Sequence, residues 1–208
     1  MFDKDFKIAL QNLPSTEKDK LILRLLKKDL VLANRLFFEL VDTETAEDKR
    51  EALQKEISKD LKRSNDRFFS LGYILMEMRN LSGLITEHVV KTKDKYGEIT
   101  LSIQLLSESI SLNKWHILNS KPNDSYTTCI YIIARAFKIL LLIKVQHEDL
   151  HLDFRDAVME LGKSIGENDM LMRHAINNGL DVNWLLQFEI PEDIVAIHKE
   201  IRANGFLK

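Results

Sequence analysis

A chain of 208 residues is long enough to bury a core without a disulfide or a structural metal. Hydrophobic residues at 45% and charged residues at 30% are globular proportions and exclude a disordered or membrane-embedded class. Lys+Arg 30 against Asp+Glu 32 leaves a formal net charge of -2, which excludes a global electrostatic attraction to nucleic acid or anionic membrane.

Pro 3 and Gly 7 are few for this length, and few breakers predict long helices. The start, Met1 to Lys7, carries acids and no apolar leader, and the single Cys129 has no partner for an internal disulfide, so a cytoplasmic location is expected. The apolar run Ile130 to Ile143 is interrupted by Arg135 and Lys138 and falls short of the ~20 residues that a bilayer span needs, so it reads as a buried helix and no membrane association is expected. No sequence period recurs.

Phe2, Phe6, Ala9, Leu10 and Leu13 predict a short first helix, stopped by Pro14, with Ser15 and Thr16 capping the next. There Leu21, Ile22, Leu25 and Leu26 are expected to face inward, with Lys20, Arg24, Lys27 and Lys28 outside. A turn near Asp29 leads to Leu30, Ala33, Leu36, Phe37 and Leu40. Thr45 and Asp48 form a capping-box start for one or two long helices over 45–93, with a break at Ser64-Asn65. Phe68, Leu71, Leu75, Met78, Ser82, Ile85 and Val89 recur by three and four, the period of a bundle seam. Beside it Ile74, Glu77, Leu81, Leu84 and His88 share a face, so Glu77 and His88 are candidate metal or proton-transfer groups; the plainer expectation is a face boundary where both reach water.

Between 98 and 106, Ile99, Leu101, Ile103 and Leu105 alternate with polar residues as in a strand, and a β-hairpin near 89–105 is the minor alternative. Helix is preferred because the apolar pattern continues to Trp115 and a lone hairpin would leave open edges among helices. Trp115 is expected to anchor in the core with its indole N-H at the rim.

After the loop Lys121 to Ser125, no Gly or Pro appears before Gly162. One long helix is therefore expected to carry Ile133, Phe137, Leu140, Lys144, His147, His151, Phe154, Val158 and Leu161 along its core side, the alternative being a kink at which the two histidines form a structural or solvent-facing pair. His147-Glu148-Asp149-Leu150-His151 spells H-E-x-x-H, the spacing that lets one helix turn offer two imidazoles to a zinc ion and a carboxylate to its water. In that reading His147 and His151 are metal ligands, Glu148 is the general base, and Glu77, His88, Asp169 or His174 complete the site. The longer metzincin form would need Gly and His where Phe154 and Ala157 stand, and a di-iron bundle would need a second E-x-x-H. The expectation is therefore no cofactor, with zinc or iron belonging to the alternative.

Met170, Leu171, His174 and Ala175 lead to a left-handed cap at Asn177-Asn178-Gly179; Trp184 and Leu185 belong to a further helix, and Pro191 begins a last one closed by Gly205. Together these elements predict an all-α bundle of long helices behind an N-terminal short helical-hairpin region, one domain over 1–208, subdivisible as 1–63, 64–163 and 164–208. The expected function is a non-catalytic interaction or scaffold module, meeting a protein partner or a second copy through apolar helix faces. The alternatives are a metal-dependent hydrolase and weak nucleic-acid binding through Lys20, Arg24, Lys27 and Lys28, a nucleic-acid partner being the less expected.

Overall fold

Where the sequence carries caps and breakers, the helices end. The computed structural model describes residues 3–207. Over them it has eleven α-helices and no strand. They are α1 (Lys4–Asn12), α2 (Ser15–Leu26), α3 (Leu30–Leu40), α4 (Ala46–Asp66), α5 (Leu71–Thr92), α6 (Lys95–Asn119), α7 (Pro122–Lys144), α8 (His151–Gly166), α9 (Asp169–Asn177), α10 (Asn183–Leu186) and α11 (Ile194–Ala203), with a 3-10 turn at Glu148–Leu150. The fold is an all-α helical bundle. The expected Phe2 of the first helix lies outside the described residues.

Thr45 and Asp48 make the reciprocal capping box, Asp48 N-H donating to Thr45 Oγ1 at 3.1 Å and Thr45 N-H to Asp48 Oδ2 at 2.8 Å. The break after α4 falls at 67–70 instead of Ser64-Asn65, because Ser70 supplies the cap of α5 by accepting from Tyr73 N-H. Only Lys93 and Asp94 separate α5 from α6: Lys93 turns the chain in the left-handed region (φ 63°) and Asp94 accepts from Gly97 N-H at 2.7 Å. The hairpin alternative near 89–105 is thereby corrected to two helices.

α6 explains the strand-like alternation, because it is buried on opposite sides. Ile99, Ile103, Leu106, Ile110 and Ile117 enter a main core with α5, α7, α8 and α9. Leu101 and Leu105 point the other way, into a smaller core with Leu53, Ile57 and Leu61 of α4 and Leu81, Ile85 and Val89 of α5. A helix clothed on two faces places apolar residues at i, i+2 and i+4 as well as i+3, which imitates a period of two. The α5 seam is buried as expected from Leu71 to Val89.

α7 lies in the main core. By length and composition Pro122–Lys144 could cross a bilayer, since the helix extends well beyond the Ile130 to Ile143 run, yet 56% of its apolar window is buried against the rest of the bundle. Cys129, fully buried on this helix, has its thiol pushed up to about 12 by burial, which outweighs the opposing hydrogen bond with Ser125.

The expectation that Leu21, Ile22, Leu25 and Leu26 of α2 face a core is corrected. None of the residues of α1, α2 or α3 is buried. Ile22 and Leu25 stand 50% and 53% exposed, while Leu21 and Leu26 are half-buried. These helices form an arm that rests on the bundle through α3 against α5. At its root Asp42 takes both Lys49 (2.8 Å) and Lys91 (3.3 Å), and both ammonium groups sit 5.8 Å from the centre of the Phe38 ring. The hydrogen bond from Lys49 leads the causes that lower Asp42 to about 2, and the same carboxylate raises Lys49.

In the C-terminal third, Gly179 adopts the left-handed cap (φ 75°). The last helix begins at Ile194 and not at Pro191. Leu207 is tucked inward, its N-H donating to Asn178 Oδ1. Gly162 lets α8 approach α10: a Cβ there would lie 2.8 Å from Leu185 Cβ and 3.0 Å from the Leu186 nitrogen. Gly162→Ala is expected to destabilise the protein by about 1–3 kcal/mol through overpacking. Gly83→Ala, with open space around the new methyl, is expected to stabilise it by about 0.5–1 kcal/mol. Guanidinium unfolding of both variants checks the contrast, and a Gly162→Ala variant as stable as the parent would contradict the α8–α10 contact.

Candidate functional site

The segment carrying H-E-x-x-H is not one helix: the inward-facing histidines on a continuous helix are corrected, and the kink alternative takes the form of a full break. α7 ends at Lys144; Val145 is 71% exposed, and His147 has extended backbone (φ -63°, ψ 140°). The His147 ring Nδ1 accepts from Asp149 N-H at 3.4 Å, so this histidine serves as the cap of the 3-10 turn Glu148–Leu150. His151 is the first residue of α8. Glu148, Asp149 and Asp153 cluster where that helix begins, a placement its dipole favours.

The two imidazoles consequently have different surroundings. The His147 side chain is 76% exposed, with Asp149 Oδ2 3.3 Å from Nδ1. His151 Nε2 lies 3.3 Å from the Gln146 carbonyl, which folds back over the break. Glu148 and His151 do line one cleft of about 680 Å³, with Lys144, Trp184, Phe188, Glu189 and Glu192; His147 does not. Lys144 Nζ bridges the cleft to Glu192 Oε1 at 2.8 Å and holds the Glu192 carboxyl below the ordinary range. Phe188, in the left-handed region (φ 56°), turns the chain along the far wall. The cleft can offer carboxylates, one imidazole and an indole to a polar ligand, with part of its negative charge already neutralised.

The other candidate ligands lie elsewhere. Glu77 is half-buried on α5, and His88 lies eleven residues further on, about 16 Å along the axis at 1.5 Å per residue. His88 is buried, so the expected boundary position is corrected: its Nε2 is 3.1 Å from Asp94 Oδ2, and both Asp94 oxygens take Arg50 Nη1 at 3.2 Å. Arg50 also pairs with Glu47 and lies 5.1 Å from the Tyr96 ring centre. Asp169 is exposed at the start of α9. Among the described residues, no three His, Cys, Asp or Glu side chains gather in a metal-ligand arrangement.

His174 is buried beneath the edge of Tyr126, ring centres 5.4 Å apart. Burial, followed by the nearby Arg173 charge, lowers its pKa from 6.5; His198, against Phe137, is lowered by burial and Arg202. A histidine whose folded pKa lies below its unfolded value contributes stability that is complete above the unfolded pKa and is lost as pH falls from it toward the folded pKa. The melting temperature is therefore expected to decline as pH is lowered below about 6.5, and His174→Gln should shallow that decline. An unchanged slope in scanning calorimetry would refute this assignment.

The expected anchor Trp115 is also corrected: it is 69% exposed, edge-on to His116 at 5.2 Å. His116 is what packs, stacked on Phe68 at 3.6 Å and 8°. Lys20, Arg24, Lys27 and Lys28 are all exposed, and Lys20 is paired with Glu17 at 2.9 Å.

The largest departure from a closed surface is on the arm. α1 exposes Ile8 and Leu10; α2 exposes Ile22, Leu23 and Leu25; α3 and its end expose Leu30, Val31, Phe37, Leu40 and Val41, Leu40 by 79%. Leu10, Leu21, Ile22 and Leu25, with Gln11 and Lys18, border an apolar groove of about 350 Å³ between α1 and α2. The sequence signal for this surface was present: α2 is apolar at 21, 22, 23, 25 and 26, too broad an arc for one buried stripe. Comparison with protein-family models, with curated proteins and with solved structures found no match.

Proposed function

We propose that this chain is a non-catalytic interaction module of the cytoplasm, and that the α1–α3 arm is its protein-docking surface. The observation that carries the reading is the density of large exposed apolar side chains between residues 8 and 41, in helices that bury no residue of their own. Monomeric soluble proteins rarely leave contiguous apolar patches beyond a few hundred Å² uncovered, and larger ones mark contact sites. The bundle supports the arm from one side through α3 and the Asp42–Lys49–Lys91 clamp, leaving α1 and α2 presented outward.

The hydrolase alternative has His147 and His151 on either side of a helix start, and the nucleic-acid alternative rests on a basic stripe interleaved with Glu17 and Asp19. Neither gains an observation of comparable weight. The test is Leu23→Glu with Leu25→Glu, unfolded by urea at sub-micromolar concentration. If the two leucines serve a partner, stability changes by no more than about 0.5 kcal/mol per site, as for surface positions. A loss of about 2 kcal/mol or more would mean they support the fold, and would overturn the reading.

A further inference from the structure

We infer that the surface covering the arm is the arm of a second copy, so that the chain forms an isologous dimer through α1–α3; this rests on the docking reading above. Two properties of the arm select this occupant. The first is charge. Residues 3–41 hold eight Lys and Arg against six Asp and Glu, a mixture close to balance. Within it only Lys20–Glu17 and Arg35–Glu39 pair, among the described residues, so Arg24, Lys27 and Lys28 and also Asp5 and Asp19 make no ion pair. A partner or a membrane of one predominant sign would satisfy half of these groups and oppose the rest. A two-fold axis supplies both signs from the same patch, which is the self-complementarity an isologous contact requires.

The second property is area. Nine of the ten large side chains exposed between Ile8 and Val41 are aliphatic, and their exposed fractions amount to roughly several hundred Å² of apolar surface per copy, enough for the apolar half of a standard interface. A standard interface takes about 800 Å² from each partner. The groove beside Leu10, Ile22 and Leu25 gives such a contact a concave centre, and Leu23, 60% exposed on the same helix, is a side chain of the size that groove accepts.

Sedimentation velocity of the full chain from sub-micromolar to several hundred micromolar tests the proposal. The expected result is a concentration-dependent shift toward twice 24.2 kDa, abolished by Leu23→Glu with Leu25→Glu and left intact by Trp115→Glu on the opposite part of the sequence. A wild-type chain that stays monomeric, or a dimer that survives the double substitution, overturns the second-copy proposal. If the wild type is monomeric and the double variant keeps its low-concentration stability, the docking reading stands without the dimer. If the variant loses that stability, both fall.

Discussion

Replacing Phe137 with alanine is expected to destabilise the protein by about 3–5 kcal/mol. Phe137 is wholly buried on α7, edge-on to Trp184 of α10 (5.9 Å, 84°) and tilted on His198 of α11 (4.9 Å, 44°). Truncation removes transfer energy, leaves a cavity, and withdraws the aromatic partner of two C-terminal helices, contacts worth about 0.5–1.5 kcal/mol each. Against a total of about 5–15 kcal/mol for a domain, that is a large share. Urea unfolding should show a lower midpoint at unchanged slope, with Phe137→Leu intermediate. A loss below about 1 kcal/mol would mean that α10 and α11 do not close over α7 as described.

Asp94→Ala is expected to cost about 2–5 kcal/mol because it takes the buried partner from the Arg50 guanidinium, 15% exposed, at the junction of α4, α5 and α6 and leaves it only the exposed Glu47. The same substitution uncaps α6 at Gly97 N-H and leaves His88 Nε2 without its carboxylate. Asp94→Asn keeps a capping oxygen and should lose less. Arg50→Ala should also destabilise, because it leaves the buried Asp94 carboxylate with only the Gly97 N-H and His88 as partners. The double variant should then be less unstable than the sum of the two, by about 0.5–3 kcal/mol of coupling. Strict additivity in that cycle would show that the pair contributes nothing as a pair.

The helical class and most element positions were legible because capping and period are local properties. Thr45 and Asp48 announce α4 within four residues, and Leu71 to Val89 repeat every three or four along one seam. What was not legible depends on distant partners. Arg50 meets Asp94 across 44 positions, and nothing near either residue announces the other. Leu21 to Leu26 read as a core stripe because sequence pattern reports that a face is apolar and not what covers it. The H-E-x-x-H segment is illegible for a third reason: a stretch without Gly or Pro reads as continuous, yet a helix also ends where the His147 ring caps the next turn and the His151 ring reaches back to the Gln146 carbonyl. Its signal was the run of acids at 148, 149 and 153, which marks a helix start more than a helix middle.

Cys129 turns the core into its own reporter. Only thiolate reacts with alkylating reagents, and a sulfhydryl that ionises near 12 and has no exposed surface offers almost none at neutral pH. Modification must then wait for α7 to come out of the bundle, so its rate, divided by that of a free thiol, measures how often the molecule opens. Since the chain has one cysteine, the readout is unambiguous. A variant that loosens the main core would be modified about tenfold faster for each 1.4 kcal/mol of stability it loses, in native buffer and without denaturant.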